Sequence, residues 1–395
     1  MSKAAPVLHW LIKEGRFTVH NMRDTGDKLC EQIVAAGIPI VRGFCGVRTL
    51  HPLVAATAYI WRRGEGTGRV IATWEQTENP EFNDNPLAQA MARADEGDQI
   101  TRRRLDVPED ELEFEIFRQF KREGMTDYVA MPLVFSDGRR NPTSFQTDAP
   151  GGFSDSDVAA LKDVIDMLAP IVETESAYRT ARQVVRTYVG RRTGARVLSG
   201  AITRGSGETI DAIIWYCDLR GFTSLTDSLP GDQLLDLLND YFEIMAGAVT
   251  EVGGEVLKFI GDAMLAIYEL NDEEGGDAAS CSAKTLAAAR TARERIDARN
   301  AERQAAGRPL IECGLALHLG SVHYGNIGAP DRLDFTVIGP AVNHAARLET
   351  LGAELGEPII VSASVAAAAP VELRPLGEHR LRGVEAAQEV FAPLN

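Results

Sequence analysis

Two apolar runs, VLKFI at 256–260 and AMLAIY at 263–268, are separated only by Gly261 and Asp262, a spacing that predicts an antiparallel hairpin. Lys258 then lies in mid-strand and Asp262 in the turn. Upstream, DAIIWYCD at 211–218 reads as an apolar strand ending in Asp218. Between the two, a helical repeat runs from Gln233 to Val252, with Leu234, Leu238, Tyr241, Met245 and Val249 on one face. After the hairpin the pattern continues helix, strand, strand, helix, strand. Strands paired around crossover helices predict an α/β (α+β) sandwich with a mixed sheet over residues 206–395.

The chain has 395 residues, more than one hydrophobic core usually holds, so a second domain is expected over 1–170. Residues 38–75 alternate apolar and polar side chains between turn-rich joints, as an antiparallel meander does. A charged stretch at 102–124 is followed by two further strands, TDYVAMPLVFS and TSFQTDA, joined by DGRRNP, and by an amphipathic helix from Ser154. In a linker spanning 171–205, Ile171, Tyr178 and Val185 recur at seven-residue steps, with Thr174, Ala181 and Tyr188 at the complementary positions. That is the seam of a short parallel two-helix coupler, although a helix lying on its own domain gives the same two heptads.

Composition narrows the partners. With 57 acidic against 41 basic side chains the net charge is −16, which opposes a sequence-independent grip on nucleic acid. A polyphosphate ligand would need cations and a few local basic groups. No apolar run reaches the length of a membrane span and the N-terminus lacks a signal core, so a cytoplasmic protein is expected. Cys30, Cys45, Cys217, Cys281 and Cys313 lie far apart and never in a C-x-x-C spacing, which predicts reduced, mostly buried thiols. His318, His323 and His344 read as packing or surface residues.

Asp218, at a strand end, lies where backbone N–H groups are free to bind anions. Taken singly, Asp218 serves as well as a cap, and Asp262 as a turn residue. Together, carboxylates at the ends of adjacent strands can hold a pair of hard cations such as Mg²⁺ or Mn²⁺, and a metal pair suits an in-line phosphoryl displacement. Lys258 in an apolar strand requires an acceptor or a route to the surface. Gly339 and Pro340 open a helix on which Asn343 and Arg347, four apart, share a face.

The settings of these residues, WYCDLRGFTSL at 215–225, VLKFIGDAML at 256–265 and LDFTVIGPAVNHAARLE at 333–349, resemble the catalytic domain of the class III nucleotidyl cyclases. The resemblance implies a sandwich with a ferredoxin-like core and two divalent cations held by Asp218 and Asp262, with the Leu219 carbonyl a lesser ligand. It implies that Gly221, Phe222 and Thr223 lie against the substrate, that Lys258 and Thr336 read the base, and that Asn343 orients the ribose. Arg347 would face the reacting phosphorus and Arg382 the triphosphate. It further implies a head-to-tail homodimer in which one protomer supplies the aspartates and the other supplies Lys258, Thr336, Asn343 and Arg347. The family's usual acidic residue is replaced by Pro340, which bears on the contacts at the helix start.

Lys258 only donates hydrogen bonds; adenine offers an acceptor at N1, whereas guanine offers a donor there. ATP is therefore the expected substrate, with guanylate or mixed specificity as the alternative and a silent nucleotide-binding regulator as a third reading. In the N-terminal domain, TDYVAMPLVFSDG and PGGFSDSDVAALKDVIDML resemble the GAF-type sensory domain. That implies either a small-molecule ligand or a dimerisation platform with a filled core.

Overall fold

The computed structural model describes residues 2–18, 21–49, 54–78, 84–95, 100–270, 276–384 and 386–394. Residues 50–53 of the expected meander and Glu385 of HRLRGVEA lie outside the described residues. The chain forms two compact units, Met1–Val184 and Val185–Asn395.

In the first unit, helices α1 (Ala4–Lys13) and α2 (Met22–Ala35) precede strands β1 (Arg42–Arg48), β2 (Val54–Arg62) and β3 (Gly66–Thr73). Next come α3 (Trp74–Glu78), α4 (Pro86–Asp95), β4 (Thr101–Arg104), α5 (Glu115–Arg122), β5 (Asp127–Val134) and β6 (Arg140–Thr147), and then α6 (Asp155–Val189) begins. The six strands form one antiparallel sheet in the order β3-β2-β1-β6-β5-β4. Leu11, Ile33 and Leu161 fill the core on one face and Phe117, Phe120 and Tyr128 the core on the other. β4 was not foreseen, because three successive arginines read as a solvated run. It pairs with β5, where Arg102 meets the fully buried Asp127 at 2.8 Å and Asp127 also accepts from the Phe153 amide. A cavity of about 250 Å³ lies between this sheet and α6, lined in part by Tyr59, Arg69, Glu175 and Arg179.

The second unit begins with α7 (Arg191–Leu198) and β7 (Gly207–Leu219), followed by α8 (Phe222–Ser228), α9 (Gly231–Glu251), β8 (Glu255–Ile260) and β9 (Ala263–Glu269). It continues through α10 (Ala278–Ala305), β10 (Cys313–Ala329), β11 (Arg332–Ile338), α11 (Pro340–Leu355), β12 (Ile359–Ser362), α12 (Ala363–Ala368), β13 (Leu373–His379) and β14 (Gln388–Pro393). The sheet runs β13-β14-β12-β10-β7-β9-β8, and β11 pairs with β10. Only β10 and β12 are parallel among the paired strands, so the sheet is mixed, as the element order predicted.

Side chains on β7 alternate between two layers. Ile213, Trp215, Cys217 and Leu219 enter a core covered by α9 and α10, while Ile210, Ala212 and Ile214 enter another with Ala341 and Ala345 of α11. Period-2 alternation thereby puts Asp218 on the α11 face. The fully buried Arg303 of α10 bonds Asp236 at 2.9 Å and Asp240, both of α9, a charge cluster that links the outer helices. None of the five cysteines is in a disulfide, and burial pushes Cys45, Cys217 and Cys313 up to about 12. No helix among the described residues is long and apolar enough to cross a membrane.

Candidate active site

The hairpin forms as its spacing predicts. Ile260 pairs with Ala263 across Gly261 and Asp262, and Gly261 takes φ +64°, a left-handed conformation that costs glycine little. β9 lies beside β7 with Met264 opposite Cys217, which carries Asp262 next to Asp218. Partial burial, a hydrogen bond that protonated Asp218 donates to Asp262, and that neighbour's charge push Asp218 up to about 7. Two carboxyls this close, one of them reluctant to ionise, make an oxygen-only donor set suited to a hard cation.

Among the described residues no cluster of three His, Cys, Asp or Glu side chains has metal-binding spacing. Such a cation would therefore rest on two carboxylates, a backbone carbonyl such as that of Leu219, and oxygens from substrate and water. The donor chemistry fits Mg²⁺ or Mn²⁺ and offers no soft ligand.

An ion pair adjoins the two carboxyls. Arg220 Nη1 lies 2.7 Å from Glu349 Oε1 of α11, and the Glu349 side chain is only 6% exposed. Geometry makes this an electrostatic contact, since that oxygen has no aligned hydrogen bond. Burial pushes the Glu349 carboxyl up, Arg220 draws it down and Asp262 pushes it up again. Sequence reasoning passed over both residues, although they stand inside the motifs DLRG and RLE.

Lys258 meets its acceptor within the chain: Nζ lies 3.2 Å from Asp334 Oδ2 of β11. The pair is partly solvated, with the Lys258 side chain 29% exposed, so the lysine is neither isolated nor fully buried. Asp334 and Lys258, with Phe259, Phe335, Tyr188 and Arg192, line a cleft of about 950 Å³. Asp218 and Asp262 are not among its walls. Thr336, two residues beyond Asp334, is buried, and its Oγ1 has no hydrogen-bond partner. A buried hydroxyl left in this state costs about 1 to 3 kcal/mol, and a ligand able to satisfy it recovers that energy.

On α11, Pro340 occupies the first turn as expected, Asn343 is exposed and Arg347 is half-buried. Among the described residues neither Asn343 nor Arg347 makes a hydrogen bond or ion pair, which leaves both free for a ligand. Next to Asn343, His344 stacks on His318 of β10 at 4.2 Å. The loop after β13 reaches the same place: a methyl built on Gly383 would lie 3.4 Å from the Arg347 guanidinium, which brings the neighbouring, exposed Arg382 to this end of α11. Gly221 caps α8 at φ +66°, Phe222 packs on the core, and Thr223 is exposed in the first turn. The chain thus assembles two groups of residues, the carboxylate pair with Arg220 and Glu349, and the Lys258–Asp334 pair with Thr336.

Residues 207–392 match the family model described as the adenylate and guanylate cyclase catalytic domain, so the C-terminal unit carries a catalytic domain of that family. The adenylate cyclase of Anabaena cylindrica is 36% identical over 165 residues, covering 41% of this chain and 31% of that protein. Adenylate cyclase 1 of Rhizobium meliloti is 26% identical over 251 residues, 62% of this chain and 37% of that protein. The chain thus spans about a third of the length of these curated relatives. The crystal structure of the adenylyl cyclase CyaB from P. aeruginosa, 24% identical, covers 48% of this chain and 96% of its own with a TM-score of 0.44.

Proposed function

We propose that the chain is an adenylate cyclase that converts ATP to 3′,5′-cyclic AMP and pyrophosphate. The observation that carries the reading is the side-by-side placement of Asp218 and Asp262 at the ends of paired strands, an oxygen-donor pair suited to a cation. Divalent cations bound there would lower the barrier to attack of the 3′-hydroxyl on the α-phosphorus and neutralise the departing pyrophosphate. Asp218 and Asp262, with the Leu219 carbonyl beside them, would hold the cations, while Gly221, Phe222 and Thr223 lie along the phosphates. Arg347 offers an unpaired guanidinium to the charge that develops at phosphorus, and Asn343 orients the ribose. Arg382 adds a cation for the triphosphate.

Lys258 donates to adenine N1, and the unpartnered Thr336 hydroxyl supplies the second contact at the base. Guanylate or mixed specificity has one observation in its favour: Asp334 beside Lys258 is an acceptor available to the donor edge of guanine.

In this reading the site is shared by a homodimer, one protomer giving the aspartates and the other Lys258, Thr336, Asn343 and Arg347. Two features support it. The cleft at Lys258 excludes the carboxylate pair of its own chain, and the large apolar side chains Phe259, Ile260 and Ile338 beside the base residues are exposed. The first unit would be a GAF-like sensory domain whose cavity takes a small ligand. The resemblance to adenylate cyclases supports the substrate assignment. The direct test is to incubate the purified chain with ATP or GTP and Mg²⁺ or Mn²⁺ and identify the product. Cyclic AMP from ATP is expected, and cyclic GMP formed at an equal or higher rate would transfer the assignment to the alternative.

A further inference from the structure

We propose that the Arg220–Glu349 pair, with Glu349 buried and Arg220 partly so, is a positioning device that ties helix α11 to the carboxylate end of β7, so that the two half-sites of one protomer are held in a single geometry. The inference rests on the cyclase reading above for its functional meaning, but the tie itself is a property of the chain.

Each partner belongs to a different half-site. Arg220 stands two residues after Asp218, and its amide is fixed by a 2.7 Å bond to the Glu312 carbonyl at the edge of β10. Glu349 stands two residues after Arg347 on α11, with its side chain nearly enclosed. A charge buried this far is tolerated only with a partner, and removing one partner costs more than never having had the pair. The sheet is cut away to admit it. Gly314 of β10, directly opposite Asp218, has no room for a side chain, since a methyl there would collide with both the Arg220 guanidinium and the Glu349 carboxylate. The absence of a side chain at Gly314 thus makes room for the ion pair. Neither Arg220 nor Glu349 is needed to explain cation or base binding, so the pair is left to set the position of α11 relative to the strand end.

Glu349→Gln and Arg220→Gln separate this role from a merely electrostatic one. The first removes a negative charge beside the aspartates and the second a positive one, so a charge effect on turnover has opposite signs in the two variants. A positional effect has the same sign in both. In the full chain, both variants are expected to keep the circular dichroism of the parent and to raise amide hydrogen exchange across residues 340–348 at least fivefold. Both should lower kcat about tenfold or more while KM for ATP moves less than about threefold. Unchanged exchange in α11 overturns the tie, and so does a gain in kcat for Arg220→Gln set against a loss for Glu349→Gln. If exchange rises in both variants but the parent forms no cyclic nucleotide, the tie stands and the cyclase reading fails.

Discussion

Acid should loosen the helix that carries Asn343 and Arg347, because His344 on that helix stacks on His318. His318 is mostly enclosed, with only the Ser364 hydroxyl at 3.5 Å as a polar neighbour. Burial, and then the second imidazole, pull His318 down to about 4 from an ordinary value of 6.5. His344 is lowered in the same direction by burial and by Arg347. A folded value below the unfolded one means that the fold favours neutral imidazole. Its contribution is complete above pH 6.5 and is lost as the pH falls towards 4. The gap is worth at most about 3 kcal/mol and about 2 kcal/mol at pH 5, or roughly 1 to 2 kcal/mol after allowance for partial solvent screening. His318→Phe keeps a ring against His344 and removes one titration. Urea unfolding of the C-terminal transition at pH 8 and pH 5 should show the parent losing about 1 to 2 kcal/mol more than the variant. An equal loss in both proteins would refute the origin assigned to this acid sensitivity.

Two substitutions test the base site. Lys258→Glu puts a second carboxylate next to Asp334 and takes away the donor to adenine N1, so ATP turnover should fall about tenfold to a hundredfold; unchanged ATP preference in product analysis would remove Lys258 from base reading. Thr336→Val replaces the orphaned hydroxyl by a methyl of similar shape, so the melting temperature should hold or rise while KM for ATP increases about tenfold. A variant with lower stability and unaltered KM would mean that the hydroxyl serves the fold and not the substrate.

Much of the catalytic unit was legible because its signals are local. A two-residue Gly-Asp joint fixes a hairpin, period-2 alternation on β7 assigns Asp218 to a face, and Pro340 marks a helix start. β1, β2, β3, β5 and β6 followed from the same rules. What was missed depends on tertiary partners. β4 is written as a run of arginines and becomes a strand only because the buried Asp127 waits on β5. Lys258 was expected to need an acceptor, yet the identity of that acceptor, Asp334, depends on β11 folding back beside β8. β13 and β14 carry weak patterns and pair only with each other and with β12. Arg220 and Glu349 lie 129 positions apart, and Gly314, which admits them, is an ordinary glycine until the backbone brings β10 beside the end of β7.

The shared site is the claim on which the functional reading turns, and mixing two inactive proteins tests it most directly. Asp218→Ala should abolish turnover by removing a cation ligand, and Arg347→Ala by removing the phosphate clamp. When the two are co-refolded and mixed dimers are verified by native mass spectrometry, one of the two sites regains both halves. Activity should return to about a quarter of the parent level, since half of the dimers are mixed and each holds one intact site. Verified mixed dimers that stay silent would contradict the shared site.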